Sequence, residues 1–242
     1  RWFQLYWGSR RDIVISMVER AEKAGYAAIV LTVDAKTMAW RNVDLQNAYL
    51  PFLHGKGLAN YFTDPAFCRT LAKPPADDPE AAVRQFAELF SNLSLSWASV
   101  DWLREETSLP IVIKGILHPD DALRAIDHGA SAIVVSNHGG RQVDGCIPAI
   151  DALPKVAAAV GGAIPVLFDS GIRRASHVFK ALALGAKAVF LGRPYIYGQA
   201  IGGEKGVRDV LHNLLAELDL TMRLSGITSV DELTPDCLSK TV

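Results

Sequence analysis

The 242-residue chain is poor in cysteine, in net charge and in long apolar runs, and each shortage removes a class of function. Its three cysteines, Cys68, Cys146 and Cys237, are far apart and odd in number, with no Cys-x-x-Cys. That argues against a disulfide framework and for reduced thiols in a reducing compartment, the cytoplasm. Lys and Arg number 25 against 26 Asp and Glu, a net charge of −1, so nothing points to nucleic acid or a membrane surface as partner. No apolar run has the length of a bilayer span, and no secretory leader pattern occurs. No Gly-x-Gly-x-x-Gly follows a first strand, which weakens a dinucleotide-binding open sheet. His54, His118, His128, His177 and His212 lack metal-ligand spacing and read as loop, cap or surface residues.

What is present is regular. Half of the residues are hydrophobic, ample for one α/β domain of this length. Six short apolar runs end in polar residues: Trp2-Phe3-Gln4-Leu5-Tyr6-Trp7, Ala28 to Asp34, Ile111-Val112-Ile113-Lys114-Gly115, the run ending in Val134-Val135-Ser136, Ile164 to Gly171, and Ala188 to Arg193. Near-continuous apolar strands are buried on both faces, hence parallel. Between them lie helical stretches at Asp12–Ala24, Pro119–His128, Ala149–Val160 and Ala175–Leu184, each closed by glycine. Three times a helix ends in Gly followed by Ala or Tyr and a strand: Gly25-Tyr26-Ala27, Gly129-Ala130-Ser131 and Gly185-Ala186-Lys187. Such alternation predicts a (β/α)8 TIM barrel with about six of its eight units present; a doubly wound sheet is the alternative.

The densest chemistry follows the fourth strand, in Ser136-Asn137-His138-Gly139-Gly140-Arg141-Gln142. An imidazole can accept a proton near neutral pH, and a guanidinium can grip a carboxylate with two parallel hydrogen bonds. Two glycines let the backbone turn and approach a planar ligand. Base and clamp at one strand end suit a small carboxylic acid that loses a proton. The bland alternative is a polar loop with a surface His and Arg. Lys114, at another strand end, could instead be a Schiff-base nucleophile of an aldolase barrel.

Phe3-Gln4-Leu5-Tyr6, Leu31-Thr32-Val33-Asp34, Ile113-Lys114-Gly115, Ser136 to Gln142, Asp169-Ser170-Gly171-Ile172-Arg173 and Gly192-Arg193-Pro194 occur in this order along the chain. In these pieces the sequence resembles the FMN-dependent L-2-hydroxy acid oxidising enzymes: glycolate oxidase, lactate oxidase, lactate monooxygenase and the flavin domain of flavocytochrome b2. The resemblance runs over essentially the whole chain and implies a barrel of the FMN-linked oxidoreductase type. Within the family, Gly57 to Pro65 and the segment after it look most like lactate monooxygenase.

The resemblance implies FMN as cofactor and His138 as the base that takes the substrate's proton. It implies substrate contacts by Tyr6, Arg41 and Arg141, although Arg41 taken alone reads as a solvated loop residue. Gln4, Thr32 and Ser136 match positions bonded to the flavin ring, and Lys114 matches the lysine beside its N1–C2 carbonyl. Asp169 matches a ribityl contact, and Gly171, Arg173, Gly192 and Arg193 match the phosphate site. The implied reaction is oxidation of an L-2-hydroxy acid, L-lactate foremost, with O2 as acceptor. Acetate and CO2 are the monooxygenase products, and a released 2-keto acid is the oxidase or dehydrogenase alternative. A homo-oligomer (tetramer or octamer) is implied as well.

The family carries two further β/α units and an N-terminal segment ahead of the position matched by Arg1. Residues 1–242 therefore read as the C-terminal portion of such a domain, completed by further chain or by a complementing N-terminal fragment. An inactive fragment with only a structural or interaction role is the reading from another class. Within the domain, residues 42–97 form a connection far longer than a barrel needs, expected as a lid at the strand-exit face or as a disordered insertion around Lys73–Pro79. Gly203 to Leu224 is expected as an amphipathic helix with Val207, Val210, Leu211, Leu214, Leu215, Leu218 and Met222 as its apolar stripe.

Overall fold

The computed structural model describes residues 1–239 and consists of two compact units. Arg1–Lys114, His128–Ala130 and Arg141–Val143 form the first; Gly115–Asp127, Ser131–Gly140 and the chain from Asp144 form the second.

In the first unit β1 (Trp2–Tyr6), β2 (Ala28–Thr32) and β3 (Ile111–Ile116), whose last two residues enter the second unit, are parallel neighbours in chain order. Tyr6 pairs in register with Thr32, and Thr32 with Lys114. Residues in register on parallel strands share a face, so these three form one row, with Gln4 a period-2 step behind Tyr6. Every residue of β2 is buried, as its apolar run predicts. Helix α1 (Arg11–Lys23) joins β1 to β2 and buries Ile13, Val14, Met17, Val18 and Ala21, one stripe of a 3.6 period. Asp12 in its first turn and Arg20 and Lys23 in its last oppose the helix dipole.

The long connection between β2 and β3 carries α2 (Asn42–Gln46), α3 (Ala59–Phe62), α4 (Pro65–Cys68), α5 (Pro79–Phe90) and α6 (Trp97–Glu106). Leu58, Ala66, Phe67, Ala82, Val83 and Phe86 are buried together with Ile13 and Met17 of α1. The part from Leu58 to Phe90 is thus a helical layer packed on α1. Lys73 to Pro79 is ordered turn leading into α5, whose first turn is capped by the Asp78 carboxylate accepting from the Ala81 N–H at 3.0 Å. The aromatic spacing of the layer matches a core stripe, but that stripe is unreadable until α1 is known to lie beside it. What stays open is the earlier stretch, where Trp40 is 83% exposed and α2 has no buried residue.

In the second unit β4 (Ala132–Val135), β5 (Val166–Phe168) and β6 (Ala188–Val189) are again parallel and in chain order. The Ser136 N–H donates to the Ile116 carbonyl at the end of β3. Helices α7 (Pro119–Asp127), α8 (Ala149–Val160) and α9 (Ala175–Ala183) fill the intervals, and the strand order of the described residues runs β1 to β6. The three repeat glycines have φ of 71°, 75° and 108°, the left-handed turn that ends each helix before its next strand. Helix α10 (Arg193–Leu224) starts ten residues earlier than its stripe suggests and bends at Gly202–Gly203. Gly198 and Gly206 approach so closely across the bend that a Cβ on either would strike the other's backbone. Met222 is buried beside Phe179 and Ala183 of α9, Leu218 packs on them partly, and Leu211 and Leu215 stay exposed.

Candidate active site

In both units the residues singled out from sequence gather at the ends where strands exit. Strand exits are where a barrel presents side chains to a ligand.

In the first unit Gln4, Tyr6, Thr32 and Lys114 lie in or at the end of β1, β2 and β3. The Gln4 carboxamide donates to the Thr32 hydroxyl at 2.9 Å and to the Tyr6 oxygen at 3.2 Å. Thr32 is buried, and Lys114 Nζ lies 3.4 Å from Asp34 Oδ2, both side chains largely shielded. Burial, ahead of the opposing pull of Lys114, pushes the Tyr6 phenol up. It is a neutral O–H donor throughout the neutral range.

Arg41 is the residue just before α2, and Arg141 follows the glycine turn after β4. The fold brings them to one carboxylate: Asp44 Oδ2 is 3.9 Å from Arg41 Nη1 and 3.6 Å from Arg141 Nη2. Burial first, and the Arg141 charge second, draw the Arg41 pKa down. Its Nε is buried and unpartnered among the described residues. Two cations sharing one distant carboxylate are arranged to hold a second anion.

In the second unit Ser136 is fully buried just past β4, and its hydroxyl accepts from the His138 N–H at 3.1 Å. His138, Gly139 and Gly140 all have positive φ, 57°, 67° and 71°. A left-handed histidine costs backbone strain, held here by fixed hydrogen bonds. Ser170, itself at φ 83°, supplies them: its hydroxyl accepts from the Asn137 N–H at 3.2 Å and the Gly139 N–H at 3.0 Å, and donates to Asp169 Oδ1 at 2.8 Å. Arg193, the first residue of α10, donates from Nη2 to the Gly139 carbonyl at 2.7 Å, with Gly192 as the residue before it. Gly171 and Arg173 lie on the loop into α9, where the Arg173 N–H donates to His177 Nδ1 at 3.2 Å.

The sets differ in chemistry. The first unit offers neutral donors, one lysine and a pair of arginines, which fits a planar heterocycle and a carboxylate. The second offers a carboxylate, glycine turns and Arg193 at a helix start, which fits a polyol chain and a phosphate. Taken by unit, Gln4, Thr32 and Lys114 of the first suit hydrogen bonds to a flavin ring, and Ser136 of the second suits the same kind of contact. Asp169 suits the ribityl chain, and Gly171, Arg173, Gly192 and Arg193 suit the phosphate.

Four residues of these clusters carry no role in the sequence reading: Asp34, Asp44, Gln142 and Ser170. Asp34 and Ser170 stand inside motifs already quoted, so position next to a site residue is the signal available. Asp44, three residues after Arg41, fits the spacing of a helical ion pair. Gln142 ends the quoted Ser136–Gln142 motif beside Arg141, so it too is marked by position, but its partner Arg41 is not.

The sequence pattern of the FMN-dependent dehydrogenases matches residues 1–240. An L-lactate oxidase of Lysinibacillus sphaericus is 47% identical over 233 residues, which is 96% of this chain and 60% of that protein. An FMN-dependent alpha-hydroxy acid dehydrogenase of Penicillium citrinum is 44% identical over 99% of this chain and 60% of its own length. Among solved structures, a lactate oxidase of Pediococcus acidilactici superposes with a TM-score of 0.79 at 38% identity, covering 97% of this chain and 59% of that one. The chain thus spans about 60% of the length of these curated relatives.

Proposed function

Since the chain belongs to the FMN-dependent dehydrogenase family, we propose that the protein it represents oxidises a small L-2-hydroxy acid, L-lactate foremost, to the 2-keto level. The observation that carries this reading is the pair of arginines around Asp44, in the same unit as a neutral Tyr6 phenol. A carboxylate with a neighbouring hydroxyl is the ligand those groups recognise.

In this proposal Arg41 and Arg141 bind the substrate carboxylate and orient it, and the Tyr6 O–H donates to the substrate. His138 takes the proton of the 2-hydroxyl, its position held by the Ser136 and Ser170 hydrogen bonds of its loop. FMN, when bound, supplies the acceptor for the two electrons that leave C2. The Lys114 ammonium opposes the negative charge that such acceptance creates. Gly192 and Arg193, at the start of α10, hold the phosphate together with Gly171 and Arg173.

For the fate of the product we propose the monooxygenase outcome, L-lactate and O2 giving acetate, CO2 and water. It rests on the likeness of Gly57–Pro65 to lactate monooxygenase. Release of pyruvate with hydrogen peroxide is the competing outcome. The test uses the full-length, FMN-loaded protein. Anaerobic L-lactate should bleach the flavin absorbance, and in air the product should be acetate. Pyruvate and peroxide would retain the oxidation and remove the monooxygenase reading. A flavin that no 2-hydroxy acid bleaches would remove the function altogether.

A further inference from the structure

We propose that Gln142 is a positioning residue that aims Arg41 at the substrate carboxylate; this rests on the reading of Arg41 as a carboxylate clamp. Arg41 has little else to hold it. It stands at the start of α2, a five-residue helix with no buried residue. Asp44 is 3.9 Å from Nη1, beyond hydrogen-bond reach, and is shared with Arg141. Its Nε is buried with no partner among the described residues. The one short hydrogen bond the guanidinium makes there is from Nη2 to Gln142 Oε1, at 2.8 Å.

Gln142 is itself fastened. Its Nε2 donates to the backbone carbonyl of Asp34 at 2.9 Å, just past β2. The chemistry determines which way the amide points: a guanidinium only donates and a carbonyl only accepts, so Oε1 faces Arg41 and Nε2 faces Asp34. Glutamate would put two acceptors face to face at Asp34, and a shorter amide would not span both partners. Asp34 also holds Lys114 at 3.4 Å through its carboxylate. Gln142 therefore ties a lightly anchored arginine to the rigid end of a buried strand. A guanidinium held at one Nη keeps its other donors for a ligand, and it does not wait for the substrate to order it.

The test is a double-mutant cycle in the full-length, FMN-loaded protein, read as the dissociation constant of oxalate by calorimetry. Oxalate is a carboxylate with no C–H bond to oxidise, so its binding is read apart from turnover. Gln142→Met keeps the length and loses both hydrogen bonds. It should weaken oxalate about tenfold or more, the scale of a hydrogen bond to a charged group. It should raise KM for L-lactate more than it lowers the flavin reduction rate at saturation, and leave the FMN dissociation constant unchanged. In an Arg41→Met background the same change should add less than about twofold, because the guanidinium it aims is gone. A full additional loss there, or no loss in Gln142→Met alone while Arg41→Met is weakened, overturns the proposal and leaves the role of Arg41 standing. If Arg41→Met itself binds oxalate normally, the reading of Arg41 falls and the proposal with it. Should Gln142→Met fold poorly, Gln142→Glu replaces it. Its charge would occupy Arg41, so oxalate must bind more weakly, and unchanged binding counts against the idea.

Discussion

At the scale of single residues, the strained turn after β4 is where one atom has the largest consequence. His138 is held at φ 57° by hydroxyls on either side of the turn, so its imidazole is aimed by the backbone. Changing His138 to Gln in the full-length protein should slow anaerobic flavin reduction by about 10²–10⁴-fold, the usual range for loss of a general base, with FMN still bound. A reduction rate near the original would take the base role from His138. Gly139 is at φ 67°, and a Cβ there would lie 2.6 Å from Arg193 Nη2. Gly139→Ala should therefore dislodge Arg193 from the Gly139 carbonyl. We expect roughly tenfold weaker FMN binding, from the loss of one charge-assisted hydrogen bond. Fluorescence titration of apoprotein with FMN measures it, and unaltered affinity would mean that Arg193 reaches the phosphate without that anchor.

At the scale of elements, the layer built by α3, α4 and α5 on α1 has a pH signature. Tyr61 stacks edge-on against Phe67 and Phe86, and burial, with Asp64 second, pushes its phenol up to about 12. A raised native pKa means that folding favours the neutral phenol. The stabilisation is whole below pH ~10 and is lost as pH climbs toward the native value. About two pH units correspond to roughly 2–3 kcal/mol. Urea unfolding should thus show a drop in stability between pH 9 and pH 11.5, on the order of 2 kcal/mol, that Tyr61→Phe lacks. If Tyr61→Phe loses stability with pH as steeply as the parent, the alkaline sensitivity lies elsewhere. Asp64, fully buried, ties this layer to Ser16 and Arg20 of α1. It accepts from the Ala66 and Phe67 N–H groups, from Ser16 and from Arg20, so a buried carboxylate is left without an unmet demand.

At the scale of the whole molecule, the open question is what covers the apolar side chains of α10. Ile201 and Leu224 are each 89% exposed and Leu215 61%. Large apolar side chains left in water along one helix favour association. Residues 1–242 produced alone should therefore form higher-mass species in light scattering at micromolar concentration. Ile201→Ser together with Leu215→Ser should shift that distribution toward the monomer. No shift would place the sticky surface somewhere other than α10.

The sequence by itself determined the strands, the helices between them and most of the candidate site. Local rules suffice there. Strands buried on both faces read as apolar runs, helices end at glycines that take positive φ, and the residue where an apolar run turns polar is the one a strand exit presents. Lys114, Ser136 and His138 stand at or next to such exits, whereas the site roles of Gln4, Tyr6 and Thr32 rest on the family resemblance. Only the tertiary structure decided the rest. It packed Leu58 to Phe90 onto α1 as a helical layer, because burial of Phe67 and Phe86 needs α1 beside them. It set Asp44 against two arginines, gave Ser170 the task of holding the His138 turn, and joined Gln142 to Arg41 across 101 residues of chain. Apart from the helical spacing of Arg41 and Asp44, those contacts join partners that lie far apart in the chain. They depend on which distant segments the packed strands bring together, and side-chain chemistry at a single position carries no record of that.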